Sequence, residues 1–167
     1  KIYQKDIEKI REKYGNFYLF SSNFGFINEK LFKKKIKDLK KIKNKNLKKQ
    51  NISLIKNGYN DFNNLIFELN NLKNKINSNL IIRPHPADKN HEDWEDKLIN
   101  NPNIKIKSNN EIIPWIIASK GLLHRGCSTS IDSYLLKKKI FYVLPNRTLK
   151  KNEKNLSYNL SLKIKKI

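Results

Sequence analysis

At 167 residues the chain is long enough for one domain with a sizeable core and too short for two full ones. Its 36 Lys and Arg against 15 Asp and Glu give a formal net charge of +21 and an isoelectric point near 10.0, a balance that ordinarily points to nucleic acid or an anionic membrane. The charge is nearly all Lys, spread along a chain rich in Asn and Ile, and Arg occurs only at Arg11, Arg83, Arg125 and Arg147. Arg is the residue that reads bases and phosphates with paired hydrogen bonds, so nucleic acid is not the expected partner, whereas peripheral contact with an anionic membrane stays open.

Cys127 is the single cysteine, which excludes an internal disulfide and a Cys-rich zinc site. The three histidines lack metal-ligand spacing, so neither a metal nor a resident cofactor is expected. No apolar run reaches the length that spans a bilayer, and the expected location is the cytoplasm, with the inner face of the membrane as the alternative. The chain contains no Met, even at position 1, and therefore reads as a trimmed piece whose N-terminal part is unseen.

Residues 2–14 carry Ile2, Ile7, Ile10 and Tyr14 among charged side chains, an amphipathic spacing that predicts a helix ending at Gly15. Residues 16–20 are aromatic and apolar after Asn16 and predict the first buried parallel strand. That strand empties into Ser21, Ser22 and Asn23, a polar loop at a strand's carboxyl end, where open α/β sheets hold ligands and where an ordinary turn would look the same. In the segment 30–49, Lys alternates with Leu, Ile and Phe, which suits a helix with a solvated basic face, or an exposed excursion partly disordered in isolation, serving solubility or surface attachment. Asn60 and Asp61 suit the cap of a second helix, whose stripe of Phe62, Leu65, Ile66, Leu69, Leu72 and Ile76 has helical period.

Residues 79–82 predict the next buried strand, which stops at Arg83-Pro84-His85-Pro86. Two prolines flanking His85 forbid helix there and hold the imidazole at a strand tip with little conformational freedom. A short helix over 88–100 should turn Trp94 and Leu98 inward, and residues 103–107 alternate as an edge strand. Residues 111–119 predict a helix with Pro114 in its first turn. Gly121, Leu122 and Leu123 then form a strand, His124-Arg125-Gly126-Cys127 a tight turn, and Ser128, Thr129 and Ser130 the start of a helix. The unpaired N–H groups and positive dipole end of such a helix, joined by hydroxyls, can hold an anion, and plain capping by the same hydroxyls is the competing reading. Residues 140–144 read as the last strand, and the basic stretch after Asn146, with Leu156, Leu160 and Ile164, as a helix docking on the unseen part.

Such alternation predicts an α/β domain spanning 1–167, with a parallel sheet of about five strands and helices on both faces. Three catalytic patterns are missing: the phosphate loop, the G-x-G-x-x-G turn and the G-x-S-x-G elbow. Cys127 could serve as a thiolate nucleophile near His124, or simply pack. His85, Arg83, the 21–23 loop and Ser128, Thr129 and Ser130 all fall at one predicted edge of the sheet, which points to an anionic, phosphate-bearing ligand.

The run L-I-I-R-P-H-P-A-D, the Trp in the next helix, N-I-K-I and E-I-I-P-W-I-I-A-S-K-G-L-L-H-R-G-C-S-T-S-I-D-S resemble the bacterial surface carbohydrate biosynthesis proteins. They are more distantly similar to capsular Kdo transferases, H-P-motif sialyltransferases and CDP-glycerol glycerophosphotransferases. The resemblance covers about 14–145. It implies a Rossmann-like domain forming the C-terminal half of a GT-B-like glycosyltransferase, with the acceptor domain absent from this chain. It also implies a nucleotide-activated, for example CMP-linked, sugar as donor and a glycan or lipid-linked glycan as acceptor. On this resemblance His85 contacts the donor phosphate and protonates it as it leaves, while Ser128, Thr129 and Ser130 hold it with Arg83 and His124. Asp132 would reach ribose hydroxyls, and Ser22 and Asn23 would line the cleft. Two departures stand out: Asp132 replaces an expected Glu, and Arg125 an expected smaller polar residue. A polyol-phosphate transferase, a sugar-nucleotide epimerase or a non-catalytic nucleotide- or glycan-binding module on the same plan remain the alternatives.

Overall fold

The computed structural model describes residues 2–23, 29–71, 78–84, 92–98, 102–107, 111–145, 149 and 154–164. Six strands, β1 (Phe17–Ser21), β2 (Asn79–Arg83), β3 (Ile104–Ile106), β4 (Gly121–His124), β5 (Lys139–Val143) and β6 (Leu162–Ile164), form one sheet in the order β3-β2-β1-β4-β5-β6. Every pairing is parallel. The chain thus builds outward from β1 to β3, returns to the centre at β4 and continues the other way, a doubly wound, Rossmann-like order.

Strand alternation sorts the apolar side chains into two cores. On one face, Phe17 and Leu19 of β1, Ile81 of β2, Leu122 of β4 and Ile140 of β5 meet Ile10 of α1 (Gln4–Tyr14) and Trp115 and Ile116 of α5 (Ile112–Ala118). Gly15 ends α1 at φ +60°, with its N–H donating to the Arg11 carbonyl at 2.8 Å. On the other face, Phe20, Leu80, Ile82, Leu123 and Val143 pack on Phe62, Leu65, Ile66 and Leu69 of α3 (Lys45–Asn71) and on Trp94 and Leu98 of α4 (Glu92–Leu98). Leu65, Leu69 and Trp94 are fully buried, and each such large apolar side chain stabilises the fold by about 1.5–3 kcal/mol.

Three expectations are corrected. The segment 30–49 holds two helices, α2 (Glu29–Leu39) and the start of α3, separated by a turn over 40–44. Asn60 and Asp61 begin no helix: α3 runs straight through them. The residues upstream, 45–59, contain no Pro to break a helix, so the capping signal has no chain reversal to stabilise. Beyond Asn146, the structure forms the short helix α7 (Leu156–Asn159), capped by the Asn155 side chain accepting from the Tyr158 N–H at 3.2 Å, followed by β6. β6 pairs with β5 through Phe141 and Leu162 and makes a sixth strand where about five were expected. Leu72 and Ile76, the end of the predicted stripe, lie outside the described residues.

Candidate functional site

Register aligns one row of side chains across the carboxyl edge of the sheet. Arg83 of β2 pairs with Ser21 of β1, Ser21 with His124 of β4, and His124 with Tyr142 of β5. Because β1 and β4 are neighbours whose chains leave in opposite directions, the crevice at their carboxyl ends is the topological switch point, where open α/β sheets take ligands. Two loops border it, Ser22 and Asn23 after β1, and 125–128 between β4 and α6 (Thr129–Leu135).

His124 shapes the second loop. Its ring is fully buried, and Nδ1 accepts from the backbone N–H groups of Gly126 at 3.1 Å and Cys127 at 3.2 Å. Two donors on Nδ1 leave the proton on Nε2, which donates to the Ser161 hydroxyl at 2.8 Å. Ser161 passes its own proton to the Ser157 carbonyl at 2.6 Å, and Ser157 Oγ donates to the Cys127 carbonyl at 3.1 Å. A closed network therefore ties α7 and β6 to the turn after β4. Burial without a carboxylate partner pushes the His124 pKa down to about 4, so the imidazole is neutral.

The loop then bends at Gly126, whose φ of +86° suits glycine. A methyl group there would stand 3.6 Å from both the Asn23 amide nitrogen and the Tyr142 hydroxyl, which places these two polar heads beside the bend. Below it, Ser21 Oγ, Cys127 Sγ and Thr129 Oγ1 form a triangle with 3.2 Å sides. Both hydrogen-bond partners of the buried Cys127 sulfur are hydroxyls. Thr129, half-buried, accepts from Ser21 and from Cys127, which leaves its own proton to donate.

The helix start separates the three hydroxyls predicted there. Ser128 is exposed and its side chain makes no capping hydrogen bond. Ser130 is fully buried and donates to the Cys127 carbonyl at 2.8 Å. Among the described residues no acceptor meets the N–H groups of Ser128 and Thr129. The structure therefore brings together Ser22, Asn23, Ser128, Thr129 and the enclosed His124 and Ser130 around one crevice. Asp132 is half-exposed in the first turn of α6. Arg83 ends β2 with its guanidinium 5.7 Å from the centre of the Trp115 ring, and desolvation lowers its pKa. His85 lies outside the described residues, two positions beyond Arg83.

Arg125, which the resemblance marks as a departure, is almost wholly buried and donates to acceptors on α3 and β5 among the described residues. Nε donates to the Val143 carbonyl at 3.1 Å, one terminal nitrogen to the Asp61 carbonyl at 2.7 Å, and the other to Glu68 at 3.3 Å and the Leu144 carbonyl at 3.4 Å. Desolvation raises the Glu68 pKa, partly opposed by Arg125. The guanidinium thus staples α3 to the end of β5 directly behind the crevice. Sequence reasoning placed Ser21 at this edge but missed Tyr142, Ser157 and Ser161 as parts of this assembly. Tyr142 was findable, since it stands two residues after buried Ile140 and so shares its face of the sheet; the serines had no signal.

Among the described residues no group of three or more His, Cys, Asp and Glu side chains could hold a metal ion. Two other hollows, of about 440 Å³ between α1 and α5 and about 530 Å³ between α2 and α3, share no lining residue with the crevice. Fold and loops together define a doubly wound parallel α/β domain with a cluster of hydroxyl-bearing residues at its switch point. No family model matches this chain, and neither a curated protein nor a solved structure matches it significantly.

Proposed function

We propose that this chain is the donor-nucleotide-binding, C-terminal half of a GT-B-like glycosyltransferase of bacterial surface polysaccharide biosynthesis. The observation that carries the reading is the edge between β1 and β4, where the Thr129 hydroxyl, joined to Ser21 of β1, and the N–H groups of Ser128 and Thr129, which meet no acceptor among the described residues, follow the Gly126 bend that lies against Asn23. Such donors suit a phosphate oxygen. The choice of a nucleotide-activated sugar rests on the resemblance of the R-P-H-P, P-W-I and C-S-T-S runs.

In this reading Ser128 and Thr129 touch the donor phosphate, whereas Ser130 and His124, turned inward, keep the loop in shape. As the glycosidic bond to the nucleotide breaks, negative charge grows on the departing phosphate, so these hydrogen bonds strengthen toward the transition state. His85 would supply the proton to the leaving phosphate, and Asp132 would take ribose hydroxyls.

The test is a thermal-shift and calorimetric screen of the chain against CMP, CDP, UDP and GDP. One of them should bind, and Thr129→Val should weaken it by on the order of tenfold, the loss of one hydrogen bond to a charged group. In the full-length enzyme His85→Ala should lower kcat by about 10²-fold or more at unchanged melting temperature. Failure of every nucleotide at millimolar concentration would sink the reading.

A further inference from the structure

Nearly half of the chain's net charge falls within one segment. Residues 29–56 carry twelve Lys against Glu29 and Asp38 and contain no Arg, a net +10 within the total of +21. They form the hairpin of α2 and the first half of α3, and no residue between 29 and 60 whose exposure is described is buried. The hairpin is rooted by Phe32 stacked on Tyr59, ring centroids 4.2 Å apart. The Arg125 bond to the Asp61 carbonyl holds that point of α3 level with the carboxyl edge of the sheet. Residues 45–60 form about 24 Å of helix ahead of that point, at 1.5 Å per residue.

A solvated basic face needs no apolar surface, but this hairpin has one. Leu39, Ile42, Leu54 and Ile55 line a groove of about 530 Å³ together with Lys35, Asp38 and Asn51. Leu47 and Leu54, on the same stripe of α3, are 48% and 56% exposed. Lys35 itself lines the groove, Lys41 pairs with its Asp38 at 3.2 Å, and Lys34 and Lys48 stand one helical turn from its Asp38 and Asn51, so cations accompany the apolar strip. Apolar side chains set among lysines on an exposed amphipathic element match a lipid surface, where the leucines enter the headgroup boundary and the ammonium groups meet anionic headgroups. Nucleic acid would favour Arg and exposed stacking aromatics, and the hairpin has no Arg.

We propose that the α2–α3 hairpin is a docking surface for an anionic lipid bilayer, holding the crevice edge of the sheet toward the membrane. This stands whether or not the domain binds a nucleotide.

Cosedimentation with vesicles tests it at near-physiological salt, comparing pure phosphatidylcholine with phosphatidylcholine containing about one-third phosphatidylglycerol. Binding is expected only to the anionic vesicles. Replacing Lys34, Lys35, Lys41 and Lys48 together with Gln should weaken it by about a hundredfold or more, at roughly fivefold per lysine. Leu47→Asn with Leu54→Asn should weaken it severalfold at unchanged net charge, and circular dichroism should show both variants folded. A variant that unfolds is replaced by the wild-type chain titrated with salt, in which binding should fall steeply as salt rises. Four results would overturn the proposal: no binding to anionic vesicles, binding indifferent to both variant sets or to salt, full displacement by excess soluble glycerol phosphate, or tighter lysine-dependent binding to duplex DNA than to vesicles.

Discussion

His124 illustrates how one neutral imidazole organises a loop. Its Nδ1 satisfies two backbone N–H groups of the turn and its Nε2 reaches Ser161, so protonation would force a donor against donors in a buried place. With a folded pKa of about 4 against an ordinary value of 6.5, the unfolded chain binds the proton first. Stability is therefore fully present above pH 6.5 and is lost as pH falls from there toward 4, by about 3 kcal/mol in all at about 1.4 kcal/mol per unit. Urea unfolding at a series of pH values should show this slope, and His124→Gln, which cannot titrate, should flatten it. An unchanged slope in the variant would place the acid sensitivity elsewhere.

At the scale of elements, β4 and β5 approach each other closely at Gly121. A Cβ on Gly121 would lie 2.9 Å from the Lys139 carbonyl oxygen and 3.3 Å from the Phe141 ring, so the strand entering the crevice needs glycine at its first position. Gly121→Ala should cost about 1–3 kcal/mol and lower the melting temperature by several degrees, read by calorimetry. A variant melting with the wild type would mean that the two strands separate easily. The elements that could be read in advance were those with a strong local signature. The apolar runs that became β1, β2, β4 and β5 announce themselves because a parallel strand is buried on both faces. α3 was misread at its start because Asn60 and Asp61 look like a cap when the neighbouring helix is unknown, and β6, three residues long, is too short for any period to show.

Across the whole molecule, the stretch after Pro145 closes the site from behind. It supplies Ser157 and Ser161 to the buried network, sets the Tyr158 ring edge-on to Tyr142 at 5.1 Å, and covers the edge of β5. A chain ending at Pro145 should melt lower, show His124 titrating closer to 6.5 by NMR as water reaches Nε2, and self-associate through the bared strand. If His124 kept its low pKa and the shortened chain stayed monomeric, the segment would be dispensable to the turn. Among the described residues no helix is long and apolar enough to cross a membrane.

The sequence by itself pointed to the α/β class, to helices on both faces and to Arg83, the 21–23 loop and residues 128–130 at one sheet edge, with His85 outside the described residues, because these follow from strand period and the direction of parallel crossovers. Only the tertiary structure decided which of those groups face outward. Ser128 and Ser130 are two residues apart and chemically identical, yet one is exposed and the other wholly buried. His124 and Arg125 became internal fasteners through partners 37 and 57–64 residues away in the chain. Local sequence carries propensity and period, whereas the partner that makes a polar side chain worth burying is fixed by packing between distant segments.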